Sequence, residues 1–372
     1  MKTALNRLLS YEQPQKYIVE TENYSETFST PVLTAGKSFI LGYTNETTGV
    51  YNGKESPVII FDDFTGDKKY VDFDFKVKSS AMKLLHKVNT SDNLKYLFYA
   101  LQSIKYTPFS HKRIWISEYS NFLIEYRHPQ EQNAIVLALD GINQAIYNKK
   151  QELFSLDELV KSRFIEMFGD VVRNDKKWET HIITKVCPIK QYDGTLSQVN
   201  NKYWLLNLDL IESNTGTILD KYYADKKEIG NSTITFSENN VLYSKLRPYL
   251  NKVVLPDGNG YATSELIPFL PLEKINKYYL AYALRSDSFV TLVNSKAGGA
   301  KMPRAPMDFI RSFPLPVPPI SLQNEFAEFV KLIDKSKFVC HSKNFLCDIF
   351  TFSSSTIAYP SVVSIFVCPK RC

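Results

Sequence analysis

The sequence contains the stretch Lys95-Tyr-Leu-Phe-Tyr-Ala-Leu-Gln-Ser103, and a similar stretch, Tyr278-Tyr-Leu-Ala-Tyr-Ala-Leu-Arg-Ser286, follows at an offset of 183 residues. Both place apolar residues at helical spacing, which predicts a helix in each region. A short polar stretch precedes each of them in strand-like sequence, Ser80-Ala81 in the first region and Ala262-Thr-Ser264 in the second. The two regions therefore share features in the same order.

A further match follows at nearly the same spacing. Phe122-Leu-Ile, followed by Gln132-Asn133, corresponds to Phe313-Pro-Leu, followed by Gln323-Asn324, at an offset of 191 residues. Ordered matches at nearly one offset indicate an internal duplication, and a unit of this length is not a solenoid repeat. The chain is predicted to contain two copies of one domain, each followed by a helix.

Residues 129–169 have the pattern of a long helix that starts at Pro129, because proline is favoured in the first helical turn. Continuous, it would be about 60 Å long; a capping box of Ser155 and Glu158 allows a break and restart instead. The heptad-like spacing favours a helix pair over an amphipathic helix packed on its own domain. The residues assigned to this pairing are Ile135, Leu139, Ile142, Ile146 and Leu153 in the first helix, and Phe326, Val330 and Ile333 in the second.

Both predicted copies of the duplicated domain are rich in strand signals, so the predicted fold class is α+β, with mixed α/β domains. The expected strands include alternating or β-branched runs, and the expected helices follow apolar periodicity. These predictions are strands at 17–20, 57–64, 71–77, 233–236 and 240–243, and helices at 94–103 and 280–292.

Composition excludes several classes of protein. With 372 residues, 44% hydrophobic and 23% charged, the chain is neither disordered nor a rod, and about two domains are expected. No signal peptide or apolar run of membrane-spanning length is present, which favours a cytoplasmic protein. The net charge of +6 permits a polyanionic partner.

Known catalytic motifs are absent from the sequence. It has no phosphate-binding glycine loop, no dinucleotide fingerprint and no nucleophile elbow, and it lacks the Asn/Asp-Pro-Pro-aromatic motif of amino-methyltransferases. Four of the five cysteines lie in the last 33 residues, but with His341 they do not complete a four-ligand zinc pattern. We therefore expect no catalytic residue and no metal site in this chain.

Basic residues cluster in loop-like sequence, where they suit DNA phosphates and base edges. Solvated surface loops are the alternative interpretation, and composition alone favours it. The duplication favours DNA instead, because two similar basic domains suit a two-part duplex site. The candidate DNA-binding residues are Lys37, Ser38, Lys112 and Arg113 in the first half, and Lys245, Arg247, Tyr249, Lys252, Lys301 and Arg304 in the second.

Several stretches together resemble the specificity subunits of type I restriction-modification systems. Leu159–Asp170 is similar to the end of their central helical region, and Val241–Lys252 with Ala262–Glu265 to their target-recognition domains. The remaining stretches that carry the resemblance are Thr30–Lys37, Phe109–Ser117 and the proline-rich Pro316–Glu325.

This resemblance implies a non-catalytic subunit of a restriction endonuclease and adenine methyltransferase complex. Each recognition domain would read one half of a split double-stranded DNA target, and the helices would pair antiparallel, set the spacer length and dock methyltransferase subunits. The partners would be those modification subunits and the restriction (helicase-nuclease) subunits, which would use S-adenosylmethionine, ATP and magnesium. No cofactor is expected in this chain itself.

The family pattern gives the predicted domains and also shows where the sequence departs from it. The helical pattern of the second helix stops near Phe338, so that helix is predicted to be truncated before an out-of-pattern tail. Alternative functions are a scaffold that binds proteins through its helices, an inactive truncated subunit, or the detached recognition half of a type II enzyme. The predicted divisions are recognition domain 1–128, helical spacer 129–175, recognition domain 176–318, distal helix 319–338 and tail 339–372.

Overall fold

The structure is a computed structural model that describes residues 1–36, 38–106, 113–299 and 301–341, with side chains described as far as Lys337. The chain divides between Ile146 and Tyr147 into two compact units. The predicted tail, apart from the helical residues up to His341, lies outside the described residues. Both units mix helices and strands.

In the first unit, strands β2, β8, β5 and β6 form an antiparallel sheet in that order. A second sheet has the order β4, β3, β7, and β1 pairs with β9. The strands are β1 Lys2–Ala4, β2 Leu9–Glu12, β3 Thr30–Leu33, β4 Ile40–Thr44, β5 Val58–Asp62, β6 Lys68–Val71, β7 Lys76–Val77, β8 Met82–Lys87 and β9 Leu123–Glu125; the helices are α1 Leu94–Gln102, α2 Ile114–Ser117 and α3 Pro129–Phe168, which continues into the second unit.

In the second unit, β11, β12, β17 and β14 form one sheet in that order, with β13 also on β12, and β16, β15 and β18 form another. Strand β10 pairs with β19. The strands are β10 Thr180–Ile182, β11 Gln198–Val199, β12 Lys202–Leu206, β13 Tyr223–Ala224, β14 Thr233–Phe236, β15 Val241–Ser244, β16 Val253–Val254, β17 Gly260–Thr263, β18 Leu266–Phe269 and β19 Pro314–Pro316; the helices are α4 Ile183–Val186, α5 Lys277–Arg285, α6 Asp287–Lys296, α7 Met307–Ser312 and α8 Ile320–His341.

Central strands carry continuous apolar runs because both of their faces are covered. All residues of β5 and β15 are buried. Each of these strands is flanked on both sides in its sheet, and each has the predicted β-branched sequence. The strands predicted over 57–64, 233–236 and 240–243 and the helix predicted over 94–103 are confirmed, with shifts at their ends.

The duplication predicted from sequence recurs in the hydrogen bonds of the two units. The Tyr96 hydroxyl donates to the Glu125 carbonyl, and 183 residues later the Tyr279 hydroxyl donates to the Pro316 carbonyl at 2.6 Å. The edge pairing of β1 with β9 likewise recurs as that of β10 with β19. The two units therefore share these interactions in the same order along the chain.

A buried glutamine joins the long helix to its domain in each copy. In the second unit Gln323 is fully buried, and its Oε1 accepts from the Asn276 backbone N–H at 2.9 Å. Its Nε2 donates to the carbonyls of Lys274 at 3.0 Å and Pro318 at 2.7 Å. Every strong donor and acceptor of the amide is therefore used.

The first unit has the same arrangement around Gln132, which is also fully buried. Its Oε1 accepts from the Asn93 N–H at 2.8 Å, and its Nε2 donates to the Arg127 carbonyl at 2.9 Å and to Asp92 at 3.0 Å. The adjacent asparagines also correspond, because Asn93 bonds to Asn133 as Asn276 bonds to Asn324, each at 2.8 Å. We call each of these groups an amide latch.

Within the second unit, the end of α3 lies alongside α8. Phe326 makes edge-to-face contacts with Phe164 and Phe168, with ring centroids 5.4 and 5.5 Å apart. Two ion pairs flank this apolar contact, Arg163 with Glu325 at 3.1 Å and Asp157 with Lys337 at 2.5 Å. Along this contact the residue numbers of α3 rise while those of α8 fall, so the two helices run in opposite directions.

The residues assigned to helix pairing lie in several environments. Ile135 is buried in the core of the first unit, with Leu139 packed against that core, and Phe326 and Val330 are buried in the core of the second, with Ile333 packed against it. Ile146 is exposed, and Ile142 and Leu153 are half-buried.

Of the two alternatives for residues 129–169, the structure forms the single continuous helix, because α3 runs unbroken through Ser155. Three local predictions are wrong. The predicted strand 17–20 contributes a single bridge at Ile18 after a turn of 3₁₀ helix. The strand predicted over 71–77 is interrupted at 72–75, and the helix predicted over 280–292 breaks at Ser286, whose backbone is extended.

The amide latches generate a stability prediction. Replacing Gln323 or Gln132 by leucine should lower the free energy of unfolding by about 3 kcal/mol, because the buried N–H and carbonyl partners are left without hydrogen bonds. Denaturant titration followed by tryptophan fluorescence measures the loss. The control is Gln130→Leu, at an exposed position in the first turn of α3, which should change stability by less than about 0.5 kcal/mol; equal effects at all three positions would refute the role of the latches.

A buried ion pair in the first unit makes folding sensitive to acid. Lys76 Nζ lies 2.6 Å from Glu46, with side-chain exposures of 2% and 14%. Hydrogen bonding to Lys76 and to the N–H groups of Thr21 and Glu20 lowers the pKa of Glu46 from 4.5 to about 2. A lowered carboxyl pKa stabilises the fold above the ordinary pKa, and this contribution is lost as the pH falls through the folded value.

We therefore expect Glu46→Gln to destabilise the protein by about 2 kcal/mol at pH 7. The difference from the unmodified chain should shrink as the pH falls from 4.5 towards 2, because the native carboxylate then becomes protonated as well. Urea midpoints measured across this range give the result. A difference that is independent of pH would show that the charge of Glu46 contributes nothing.

Candidate nucleic-acid interface

Strand β15 delivers the first basic cluster to an edge of the second unit. The Lys245 N–H donates to the Glu265 carbonyl at 3.0 Å, the Lys245 carbonyl accepts from Ala305 N–H at 2.8 Å, and the Arg247 N–H donates to the Pro303 carbonyl at 2.7 Å. The two predicted basic clusters, 245–252 and 295–304, are thus joined by main-chain hydrogen bonds. We call residues 245–247, 298–299 and 301–305, together with Glu265, the basic edge.

The loop of the basic edge folds back on itself. The Arg304 N–H donates to the Gly298 carbonyl at 2.9 Å and the Gly298 N–H returns a bond to the Arg304 carbonyl at 3.3 Å. This agrees with the loop-like sequence in which the basic residues were predicted to lie, although Lys296 still belongs to α6. Arg304 also forms an ion pair with Glu265 at 2.9 Å, which raises the pKa of its guanidinium.

Arg247 has two unusual features. Its backbone is left-handed, with φ of 50°, a conformation that costs an ordinary residue about 1 kcal/mol or more. Its Nε is buried and has no hydrogen-bond partner in the described part of the chain. Strain and an unsatisfied buried donor at one residue are typical of a functional position.

The other candidates of the second half differ in accessibility. Tyr249 is exposed and Lys301 is exposed, so both can meet a ligand. Lys252 instead donates from Nζ to the Leu208 carbonyl at 2.6 Å, and burial lowers its pKa. Lys252 therefore anchors its own loop and is less available for DNA than the sequence suggests.

The candidates of the first unit are only partly described. Ser38 is exposed between β3 and β4, and its carbonyl accepts from Thr34 Oγ1 at 2.5 Å. Arg113 is exposed immediately before α2, and its carbonyl accepts from Ser117 Oγ at 3.0 Å. No hydrogen bond or ion pair joins Ser38 to Arg113 in the described residues, and Lys37 and Lys112 lie outside them.

Sequence reasoning missed several residues near the basic edge. A cleft of about 480 Å³ beside it is lined partly by Lys245, which the sequence analysis selected, and by four residues that it did not select: Lys190, Gln191, Ser264 and Arg311. The missed residues come from separate segments that only the fold brings together, so no local sequence motif identifies them. Glu265 could have been found, because it ends the Ala262–Glu265 stretch that carries the family resemblance.

A second polar surface lies on the sheet of the second unit. Tyr203 and Tyr261 are 5.5 Å apart between ring centroids, and the Lys226 ammonium lies over Tyr261 at 4.4 Å. Thr235 pairs with Tyr261, and Thr233 pairs with Thr263. Such hydroxyl and aromatic groups can contact DNA backbones, and the sequence analysis did not select them.

Within the residues that the structure describes, no group of at least three His, Cys, Asp or Glu side chains could hold a metal ion. The same residues contain no helix that is both long and apolar enough to cross a membrane. The basic edge itself offers cations and polar groups whose backbones are held by main-chain hydrogen bonds. Such a surface can bind a polyanion.

Comparison with known proteins assigns this geometry to a class. A family profile described as "Type I restriction modification DNA specificity domain" matches residues 175–343, which include the whole basic edge. The crystal structure of a type I restriction-modification system S subunit from M. genitalium aligns with 100% of this chain and 96% of its own, with a TM-score of 0.56 and 13% identity. The fold is that of these subunits.

Curated relatives extend the assignment to nearly the whole chain. The chain is 32% identical over 356 residues to the EcoR124I/EcoR124II specificity subunit of Escherichia coli, covering 89% of this chain and 85% of that protein. The EcoDI specificity subunit, also from Escherichia coli, is 25% identical over 96 residues, or 26% of this chain and 21% of its own. The chain belongs to the specificity subunits of type I restriction-modification systems; it is a DNA specificity subunit and is not itself the catalytic component.

Arg247 provides a test in which stability and binding move in opposite directions. Asparagine tolerates the left-handed backbone, so Arg247→Asn should raise the free energy of unfolding by about 1 kcal/mol by removing strain and a buried unsatisfied donor. The same change should weaken DNA binding and make it less salt-dependent. Denaturation and DNA titrations over a range of salt concentrations measure the two effects.

The matched control for this test is Arg173→Asn, at a side chain that is 77% exposed. Because exposed ion pairs contribute little, it should leave both quantities nearly unchanged. A loss of stability in Arg247→Asn with unaltered DNA affinity would mean that Arg247 only supports the turn.

Proposed function

We propose that each of the two duplicated units binds one half of a split double-stranded DNA target, with unread base pairs between the halves. The helices α3 and α8 pair as an antiparallel coiled coil that sets this separation and docks methyltransferase subunits. The observation that carries the proposal is the basic edge, where the main chain places cations from two distant segments side by side.

The charges of the basic edge support DNA binding. Lys245, Arg247 and Lys301 form no ion pair with any acidic side chain in the described residues, although acids are nearly as numerous as bases in the whole chain. Unpaired cations on fixed loops are suited to phosphates, whose neutralisation releases counterions and provides much of the affinity for DNA. Polar groups beside them can then contact base edges.

The contacts of the second unit support the helix pair. Asp157 meets Lys337 near the end of the described side chains of α8, and Arg163 meets Glu325 near its start. This order is that of antiparallel helices. The aromatic contact of Phe164 with Phe326 lies between flanking charges, as in a coiled coil whose charged flanking positions help to select the partner.

The subunit would act in a complex, in the cytoplasm. S-adenosylmethionine would be bound by the methyltransferase subunits, and ATP and magnesium by the restriction (helicase-nuclease) subunits. Together they would form a restriction endonuclease and adenine methyltransferase whose target this chain selects. The chain's own residues would contribute binding and orientation only.

Charge reversal tests the proposal. With methyltransferase subunits of the same system present, Lys301→Glu should lower affinity for duplex DNA about tenfold at moderate salt, and the slope of log affinity against log salt should become shallower by about one. Lys301 is exposed and forms no ion pair among the described residues, so the stability of the fold should not change. Fluorescence anisotropy with labelled duplexes over a salt series measures both.

The control is Lys176→Glu, an equal charge change at an exposed lysine after α3, which should leave affinity nearly unchanged. Sequencing of modified bases in cells that carry the complete system should reveal methylated adenines in a two-part motif. A contiguous motif, or no motif with intact DNA binding, would disprove the split-target proposal. Protein partners bound without DNA would favour the scaffold instead.

A further inference from the structure

The ion pair between Arg304 and Glu265 is unlike the other interactions of the basic edge. Glu265 approaches one edge of the guanidinium, accepting from Nη2 at 2.9 Å and from Nε at 3.3 Å. Nη1 and the second hydrogen of Nη2 are left on the opposite end. The Arg304 side chain is still 50% exposed, so this free end can meet a ligand.

The backbones of both partners are fixed by the same strand end. Arg304 is held between its reciprocal bonds to Gly298 and the bond from Ala305 N–H to the Lys245 carbonyl. Glu265 is held because its carbonyl accepts from the N–H of the same Lys245. Backbone and side chain therefore restrict the direction of the guanidinium together.

Stability does not explain this arrangement. An exposed ion pair contributes little to stability, and a carboxylate beside a phosphate-binding cation would weaken the attraction of that cation to DNA. The Glu265 carboxylate therefore lowers the general affinity for DNA, but it orients the Arg304 guanidinium. Lys245, Arg247 and Lys301, by contrast, lack an acidic partner in the described residues, as phosphate-binding cations should.

Base chemistry then selects the ligand. Guanine presents two acceptors, O6 and N7, in the major groove, whereas adenine presents a donor beside its acceptor. A guanidinium held along its Nε edge has only donors at its free end, which match guanine and repel the adenine amino group. A lysine could not substitute, because its ammonium lacks the planar fork.

We infer that Arg304 reads a guanine in the half-site bound by the second unit, and that Glu265 is the positioning residue that aims it. This inference rests on the proposed function of the basic edge. It separates the cations of that edge into one base reader, Arg304, and three phosphate contacts, Lys245, Arg247 and Lys301.

The first unit lacks the counterpart of this pair. At the offsets of the duplication, Arg304 corresponds to Arg113, and Glu265 corresponds to Met82. Met82 is buried at the start of β8 and has no carboxylate with which to hold an arginine. The guanine reader is therefore expected in the half-site of the second unit alone.

The experiment is selection from a randomised duplex DNA library, using the full-length chain with methyltransferase subunits of its system. The first variant is Arg304→Lys, which keeps the positive charge but removes the planar guanidinium. The second is Glu265→Gln, which keeps the arginine but removes the carboxylate that orients it. Both should reduce the preference for guanine at one and the same position roughly tenfold. Base preferences at all other positions of the DNA target should remain the same. The affinity for non-specific DNA should be unchanged for Arg304→Lys and unchanged or higher for Glu265→Gln.

The control is Arg173→Lys, the same change at another exposed arginine–carboxylate pair, which should leave every position unaltered. If the unmodified chain enriches a split motif but the two variants lose affinity uniformly at all positions, the inference is wrong and the proposed function stands. If the unmodified chain enriches no motif, the proposed function fails and the inference fails with it. Melting temperatures within about 2 °C of the unmodified chain show that the variants are folded.

Discussion

The two amide latches provide the constraint on which the rest of the structure depends. In each unit a fully buried glutamine accepts from an N–H at the start of a domain helix and donates to one carbonyl at the approach to a long helix, and an asparagine pair completes the contact. A buried amide is tolerated only when all of its groups are bonded. The long helix is therefore fixed to its domain in one orientation, and slippage by a single residue would break several bonds at once.

The latch and the basic edge of the second unit depend on different kinds of interaction. Uncharged groups of side chain and main chain form the latch, whose interactions are insensitive to ionic strength. Cations form the basic edge, where salt competes directly with the ligand. The subunit can thus bind and release a polyanion as conditions change without altering the attachment between its domain and helix.

Sequence was sufficient for features encoded locally or by repetition. The matching stretches around Tyr96 and Tyr279 predicted a helix in each region, and the apolar stretches within β5 and β15 predicted strands there. It was insufficient where tertiary contacts decide the outcome. The alternation over 71–77 suggested one strand, although two short strands form, and the apolar spacing over 280–292 suggested one helix, although the helix breaks at Ser286.

The candidate site shows the same division. Basic loops could be selected from composition and flanking glycine and proline, and the family resemblance gave them a function. Sequence could not show that Lys252 is directed to a carbonyl of its own unit, or that Arg304 is paired with Glu265. Those outcomes depend on residues 44 and 39 positions apart, whose proximity only the folded chain establishes.

The basic edge has a consequence for how such a protein changes over generations. Its loops are joined by bonds between peptide groups, from Lys245 to Glu265 and Ala305 and from Arg247 to Pro303. These bonds persist whatever side chains the joined positions carry, except where proline would remove an N–H. Mutation can therefore exchange the reading side chains one at a time while the scaffold persists, so a lineage can drift between DNA targets through folded intermediates.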